Sequence, residues 1–239
     1  QQLFERFGRG CTQPIPYACI HHAFSEQVLR QPAAIAAQQG EVQISYAELD
    51  HQAQALAAYL MQIGVRPGDH VGVFLQRSIA MLVSILAVLK CGAAYVPQDI
   101  RSTPAQQLLD VVQTAAIQVL LGQGVTRHLL PSGPRSVDVD AFMAQPHREY
   151  QPPRDACTGD STCFVLFTSG TTGRRNGVRV SHANLCNILF SEDGALGMAP
   201  GTKVGQILNI AFDMAAWETL GCLAHGATLL IRGSNIAHT

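Results

Sequence analysis

Short apolar runs alternate along this chain with longer segments in which apolar residues recur at helical spacing. Over residues 46–63 the apolar positions follow one face of a helix, at Leu49, Ala53, Leu56, Ala57, Leu60 and Ile63. The run over residues 71–75 is short and continuously apolar, which is typical of a strand buried on both faces. The pattern therefore predicts helices and strands that follow each other in turn.

The same alternation continues on both sides of a less regular, proline-containing region at 123–160. Helices are predicted over residues 78–89, 103–115 and 213–225. Strands are predicted over 95–97, 117–121, 137–139, 163–167, 177–180, 203–208 and 227–231. Ser181 is a good N-cap for one more helix. Strands alternating with helices predict an α/β fold, with layered, mostly parallel sheets flanked by helices on both faces.

Composition narrows the class of protein. The 239 residues are 47% hydrophobic, which allows a substantial core, and 14% charged with a net charge of -1. That charge gives no sign of a nucleic-acid surface. The apolar run 79–89 is too short to span a bilayer, which takes about 20 residues. No membrane or nucleic-acid partner is therefore expected.

Cysteine and histidine usage indicates reduced thiols rather than a disulfide framework. Seven cysteines are scattered along the chain without a Cys-x-x-Cys pair, as in cytoplasmic proteins. His21 and His22 are adjacent, and neighbours on a helix do not face the same way. We therefore expect a structural role for this pair and no metal site.

The segment Thr168-Ser-Gly-Thr-Thr-Gly173 follows a predicted buried strand and carries the clearest chemical signal. Glycines let backbone amides approach a ligand, and hydroxyl groups add donors that turn toward an anion. Such a loop suits nucleotide phosphates. Gly/Ser/Thr clusters are also common in plain surface linkers. The segment is not a P-loop, because no lysine follows Gly173.

The segment resembles the phosphate-binding signature of adenylate-forming enzymes, Tyr/Phe-Thr-Ser-Gly-Thr-Thr-Gly-x-Pro-Lys-Gly-Val. Residues 44–49, 89–99 and 212–218 resemble three other motifs of that family, in the family's order. Residues 19–24, Cys-Ile-His-His-Ala-Phe, resemble the opening of peptide-synthetase adenylation domains. The chain is identified as the N-terminal part of a nonribosomal peptide synthetase adenylation domain over residues 19–239. Residues 1–18 are then expected to be a linker from an upstream domain.

The resemblance implies activation of an amino acid with ATP and Mg²⁺ to aminoacyl-AMP and pyrophosphate. The residues implied in binding the ATP phosphates are Thr168, Ser169, Gly170, Thr171, Thr172 and Gly173. Asp213 is implied to pair with the substrate's α-ammonium group, although an Asp before an apolar helix is often an N-cap. Met214 and Trp217 are implied to line the side-chain pocket, with plain core packing as the alternative.

Two motifs depart from the family pattern. The family usually has Pro-Lys where this chain has Arg175-Asn176, which puts the handling of pyrophosphate in doubt. In the second motif Cys91, Gln98 and Ile100 replace an alanine, an aliphatic residue and a proline. These latter changes are expected to be tolerated.

Family members are roughly twice this long, so the resemblance implies further parts. A ribose-binding Thr-Gly-Asp motif and a small domain with the catalytic lysine are expected beyond Thr239. The 239 residues alone are therefore expected to be inactive, and their last strand to lie at an unpaired sheet edge. The implied partners are condensation domains and a carrier protein that bears a phosphopantetheine thiol.

Two other functions stay open. An acyl- or aryl-acid CoA ligase would accept a substrate without an amine, which Asp213 argues against. A degenerate module that binds a nucleotide or a partner without catalysis is supported only by Asn176 in place of lysine. Nucleotide binding without amino-acid-dependent exchange would favour that module.

Overall fold

Ten strands form two sheets in the computed structural model, which describes residues 14–145, 155–168 and 176–233. The strands are β1 (Ile35–Gln39), β2 (Val42–Ser45), β3 (His70–Phe74), β4 (Ala94–Gln98), β5 (Val119–Gly122), β6 (Arg135–Asp138), β7 (Thr162–Thr168), β8 (Asn176–Ser181), β9 (Lys203–Gln206) and β10 (Thr228–Ile231). The larger sheet has the order β6-β5-β3-β4-β7-β8 and the smaller one β2-β1-β10-β9. Neighbours are parallel except β7 with β8 and β1 with β2.

Helices cover both faces of the larger sheet, as the alternation of the sequence predicts. They are α1 (Ile20–Arg30), α2 (Tyr46–Gln62), α3 (Ile79–Lys90), α4 (Ala105–Thr114), α5 (Val139–Met143), α6 (His182–Leu189), α7 (Glu192–Ala195), α8 (Asp213–Ala216) and α9 (Cys222–Ala224). A π-helical turn, Trp217–Gly221, joins α8 to α9, and a 3-10 helix spans Gly124–Leu129. Within the described ranges, no helix is both long enough and apolar enough to cross a bilayer.

Helix α3, in which every residue but Ser84 and Lys90 is apolar, lies between the two sheets. It contacts β1 of the smaller sheet and β3 and β4 of the larger one, so that nearly all its side chains are buried. On the opposite face of the larger sheet, α4 packs Leu108 and Val111 against Phe74, Val96 and Leu120. A helix buried all round has no polar face to keep in water, which explains why its sequence is apolar apart from Ser84, whose hydroxyl donates to the Ala80 carbonyl oxygen, and the terminal Lys90.

Serine N-caps begin three of the described helices that follow strands, α2, α3 and α6. Ser45 Oγ accepts a hydrogen bond from the amide of Glu48, and Ser78 Oγ accepts one from Met81. Ser181 Oγ accepts from Asn184, whose side chain returns a bond to the Ser181 amide in a capping box. The prediction that Ser181 is an N-cap is confirmed. These bonds satisfy amides that have no partner within the first helical turn.

Two expectations about strands need correction. The predicted strand 137–139 ends one residue earlier, because Asp138 caps α5 through the amide of Ala141. The last strand, β10, was expected at an unpaired edge, but it lies inside the smaller sheet with β1 and β9 as parallel neighbours. Sequence order does not give spatial order in a parallel sheet, since each connection crosses over a helix.

Candidate active site

The predicted phosphate loop joins the two strands at one edge of the larger sheet. Thr168 is the last residue of β7 and pairs with Asn176, the first residue of β8. The predicted loop residues Ser169, Gly170, Thr171, Thr172 and Gly173 lie outside the described residues. Thr168 itself lies at the carboxyl end of β7, beside the carboxyl end of its parallel neighbour β4. Parallel α/β sheets bind their ligands at this edge.

A cleft of about 590 Å³ opens at that edge. Its walls come from the ends of β4 and β7, the outer part of β8, and the segment that leads into α8. The lining residues are Gln98, Thr103, Gln107, Leu166, Phe167, Thr168, Val178, Val180, Asn209, Ala211, Phe212 and Asp213. The structure therefore brings Thr168 and Asp213 to one cleft of a size typical for small-molecule sites.

Asp213 lies at the first position of α8, and its carboxylate is exposed to solvent. The N-cap position is held by Phe212, which makes no side-chain capping bond. Asp213 Oδ1 accepts a hydrogen bond from the adjacent Met214 amide, with N···O 2.8 Å. An Asp that caps a helix bonds to amides two or three residues on. The structure therefore does not show Asp213 as an N-cap, and Asp213 is one of the residues that line the cleft.

The other two predicted pocket residues do not line this cleft in the described part of the chain. Met214 is half exposed. The ring of Trp217 packs against the core, and its indole N–H donates to the Gly194 carbonyl oxygen at 2.7 Å. Trp217 also begins the π-helical turn, a geometry that occurs often at functional sites. A role for these two side chains in substrate selection stays a prediction.

A buried carboxylate that the motif comparison left without a role holds the segment before Asp213. Glu218 Oε2 accepts hydrogen bonds from the amides of Ile207 and Leu208, at 3.1 and 3.0 Å. Arg77 Nη1 donates to the carbonyl oxygens of the same two residues, at 3.2 and 3.3 Å. The sequence does contain a signal for this role, because Glu218 is a charged residue within an apolar helical segment and a buried carboxylate requires hydrogen-bond partners.

Asn209 links the same segment to the second sequence motif. Its side-chain nitrogen donates to Asp99 Oδ2 at 3.4 Å and to Ser102 Oγ at 3.1 Å. Its side-chain oxygen accepts from the Ala211 amide at 2.9 Å. The backbone from 207 to 211 is thus held by side chains from three separate parts of the chain. This arrangement positions Asp213 at the cleft.

Gln98, one of the departures from the family pattern, has an unusual environment. It is only 2% exposed, and it lines the cleft. Its Oε1 atom has no hydrogen-bond partner among the described residues. A buried amide oxygen without a partner is unfavourable, so an N–H or O–H group of a ligand would stabilise it. Gln98 is therefore a candidate recognition group that the sequence did not reveal.

A second group of reactive side chains lies at the opposite end of the β7–β8 pair. This Cys–His cluster comprises Cys19, His21, Cys157 and His182, with one ligand-type atom of each within 4.8 Å of the others. Burial, with smaller contributions from neighbouring imidazoles, lowers the pKa of His21 to about 3. Burial likewise lowers the pKa of His182 to about 4. Both rings are therefore neutral at neutral pH.

Comparisons with known proteins agree with this geometry. A family model described as AMP-binding enzyme matches residues 24–238. Adenylate-forming reductase 03009 of Coprinopsis cinerea is 38% identical over 97% of this chain, which spans 23% of that protein. Nonribosomal peptide synthetase 8 of Aspergillus fumigatus is 32% identical over 89% of this chain, which spans 2% of that protein.

A solved structure extends the comparison to the fold. The N-terminal subdomain of Klebsiella oxytoca NpsA aligns with a TM-score of 0.82 and 26% identity, over 92% of this chain and 56% of that one. This agreement confirms the predicted α/β class with mostly parallel sheets. Because the family model covers most of its length, the chain belongs to the AMP-binding enzyme family, as an adenylate-forming domain of the nonribosomal peptide synthetase type.

Proposed function

We propose that this domain activates an amino acid with ATP, forming aminoacyl-AMP and pyrophosphate. The observation that carries the proposal is the shared cleft of Thr168 and Asp213 at the carboxyl edge of the larger sheet. Thr168 is where the predicted phosphate loop leaves β7, and Asp213 offers an exposed carboxylate. The start of the predicted phosphate loop and a carboxylate that can pair with a cation thus line one cleft. That combination suits a zwitterionic substrate next to a nucleotide.

The proposed chemistry needs positioning more than covalent participation by the protein. An oxygen of the substrate carboxylate attacks the α-phosphorus of ATP, and the bond to the β-phosphate oxygen breaks as pyrophosphate leaves. Asp213 pairs with the α-ammonium group and so orients the carboxylate. Residues 168–173 would donate hydrogen bonds to the leaving phosphates, and a bound Mg²⁺ ion would supply further neutralisation of their charge. Asn176 lies where the family usually supplies a lysine.

Later steps would require parts of the longer proteins that these relatives represent. The chain spans 23% of the length of the first two relatives. We propose that the aminoacyl group passes to a phosphopantetheine thiol on a carrier domain, next to condensation domains. The name of the Aspergillus fumigatus relative supports a peptide-synthetase setting. The unpaired cysteines in the described ranges support a reducing, cytoplasmic compartment.

An acid without an α-amine is the second candidate substrate. Two proteins named adenylate-forming reductases, each 38% identical to this chain, are described by adenylate formation, a step that does not itself require an amine. Adenylate formation is common to both candidates, and only the group that meets Asp213 differs. An uncharged substituent would leave the Asp213 carboxylate without a partner in the cleft. Substitution of Asp213 should therefore impair the activation of amino acids but not the activation of acids that lack an α-amine.

The deciding experiment is substrate-dependent ATP–pyrophosphate exchange with a full panel of amino acids and a matched panel of α-deamino acids. It should be run on the longest natural chain that contains these residues. Exchange with one or a few amino acids supports the proposal. Exchange with deamino acids alone supports the second candidate. Nucleotide binding without exchange, also in an Asn176→Lys variant, would favour a non-catalytic module.

A further inference from the structure

The Cys–His cluster has the composition and nearly the spacing of a four-ligand metal site. It contains two cysteines and two histidines whose ligand-type atoms lie within 4.8 Å of one another. In tetrahedral zinc sites, bonds of about 2.0–2.3 Å put the ligand atoms about 3.4–3.8 Å apart. The four side chains come from α1, the segment before β7, and the start of α6. Packing has therefore gathered four potential ligands from three places in the chain.

Two nitrogen atoms of the cluster are buried without hydrogen-bond partners in the described residues. They are His21 Nδ1, in a residue that is 5% exposed, and His182 Nε2, in a residue with no exposure. His182 Nδ1 accepts a long hydrogen bond from the Ile20 amide at 3.3 Å. A metal at Nε2 requires the ring proton on Nδ1, so the Ile20 amide would have to give up this contact in exchange for the coordinate bond at Nε2. Buried polar atoms normally have partners, so these two point to a missing one.

Asp155 lies next to His21 and Cys157, where its carboxylate can orient these two residues of the cluster. Its Oδ1 atom lies 3.7 Å from His21 Nε2, on the other side of the ring from the unpartnered Nδ1. The same oxygen accepts a hydrogen bond from the Cys157 amide at 3.0 Å. Its second oxygen pairs with His22. Histidines that bind metals commonly donate their other ring nitrogen to a carboxylate, and Asp155 lies within a small shift of that position for His21.

We propose that Cys19, His21, Cys157 and His182 bind one structural zinc ion. Two thiolates and two neutral imidazoles form a closed four-ligand set, which is typical of structural zinc. Zinc replaces the two thiol protons, which pass to solvent, and the two thiolates then balance its charge. A neutral complex suits a site in which Cys19, His21 and His182 are buried. Cys157 is only half-buried and gives the ion a route from solvent.

The ion would brace the strand pair that carries the predicted phosphate loop. Cys157 lies shortly before β7, and His182 directly follows β8. At this end the strands pair through Thr162 and Ser181, whereas the loop leaves from the other end. A metal bound here would fix both strands to α1 without touching the cleft. The role is therefore structural and does not depend on the proposed function.

The test is metal binding by the full 239-residue chain, without a histidine tag. Reduced protein is incubated with zinc, freed of unbound metal and analysed by mass spectrometry of the elements. A parallel sample takes cobalt, whose tetrahedral thiolate complexes absorb visible light. We expect about one zinc per chain and the cobalt–thiolate absorption. Both signals should be lost in Cys157→Ser. Cys157 is the only half-buried residue of the four proposed ligands, so its substitution should disturb folding less than substitution of the other three.

Matched variants separate ligands from neighbours. Cys163→Ala removes another buried thiol close to the cluster and should keep the bound zinc. Asp155→Asn, which changes a positioning residue, should weaken zinc affinity about 10- to 100-fold. Asp160→Asn, an exposed change in the same segment, should leave the affinity unchanged.

Three results would overturn the proposal. One is zinc content in the unaltered chain no higher than in Cys157→Ser. Another is a cobalt complex without thiolate absorption. The third is a Cys19–Cys157 disulfide in freshly isolated protein, because the two sulfur atoms would then lie close together as a redox pair and not as metal ligands. If Cys157→Ser fails to fold, the stoichiometry and spectrum of the unaltered chain still decide.

Discussion

The two ends of the β7–β8 pair differ in exposure and in chemistry. At one end, Thr168 and Asn176 lead into the predicted phosphate loop, and Thr168 borders an open cleft that is also lined by the exposed residue Asp213. At the other end, Thr162 and Ser181 lie next to a buried group of thiols and imidazoles. The strand pair thus has a solvent-accessible cleft at one end, where ligands can bind and leave, and a mostly buried cluster of side chains at the other.

The difference shows two ways in which a fold positions reactive groups. The cleft end relies on backbone held by distant side chains, since Glu218 and Arg77 bind the segment that precedes Asp213. The cluster end relies on direct packing of the reactive groups against each other. Substrates must enter and leave the first kind of site, whereas a structural metal stays in the second. Changes to the groups that face a substrate at the first end should therefore affect activity, whereas changes to the proposed metal ligands at the other end should affect stability.

The largest effect is expected for Asp213→Ala at the cleft end. Loss of the charge-assisted bond to the α-ammonium group should lower amino-acid-dependent exchange by about 100-fold or more. Zinc content and unfolding free energy should stay as in the unaltered protein. ATP–pyrophosphate exchange measures the loss, with Asp193→Ala as a control at another exposed aspartate in a helical first turn. Undiminished turnover of the cognate amino acid would remove Asp213 from the site.

Glu218→Ala should be the most destabilising change near the cleft. It leaves two backbone amides, those of Ile207 and Leu208, without their acceptor, at about 1–3 kcal/mol for each amide. Urea denaturation measures the change in unfolding free energy, and the KM for the amino acid should rise as the segment before Asp213 loosens. Glu218→Gln keeps one acceptor oxygen and should lose less. Equal stability of the two variants would mean that the amides find other partners.

Zinc should stabilise the chain through the cluster end alone. With free zinc at about 100 times its dissociation constant, binding to the folded state adds about 2.7 kcal/mol to the unfolding free energy. The measurement compares urea denaturation with zinc and with a chelator. Cys157→Ser should show no difference between the two conditions. A zinc effect of the same size in that variant would place the ion elsewhere.

The smallest effect is expected for Asn176→Lys, which restores the usual residue of the family at the start of β8. Asn176 is exposed, so the change should leave stability within about 0.5 kcal/mol. Exchange activity should stay level or rise, because a lysine adds positive charge near the pyrophosphate. Steady-state exchange against pyrophosphate concentration measures this. A clear loss of activity would show that the function of the loop in this chain depends on Asn176.

Local sequence patterns predicted most of the secondary structure and singled out the two segments that meet at the cleft. Helix α2, the buried helix α3 and the cap at Ser181 follow from spacing and side-chain chemistry within a few residues. The motifs around Thr168 and Asp213 are also continuous segments, and parallel topology brings their ends to one edge. Roles for Met214 and Trp217 came from resemblance alone, and neither residue lines the cleft described here.

What depends on contacts between distant segments appeared only in three dimensions. The adjacent pair His21–His22 gave no reason to expect a metal site, because the partners of His21 are Cys157 and His182, far along the chain. The interior position of β10, the hydrogen bonds of Glu218 and the orphaned oxygen of Gln98 have the same origin. Spacing along a chain encodes which face of a helix or strand a residue occupies. Which face meets which, and so which reactive groups share a buried space, is decided by the packing of the whole domain.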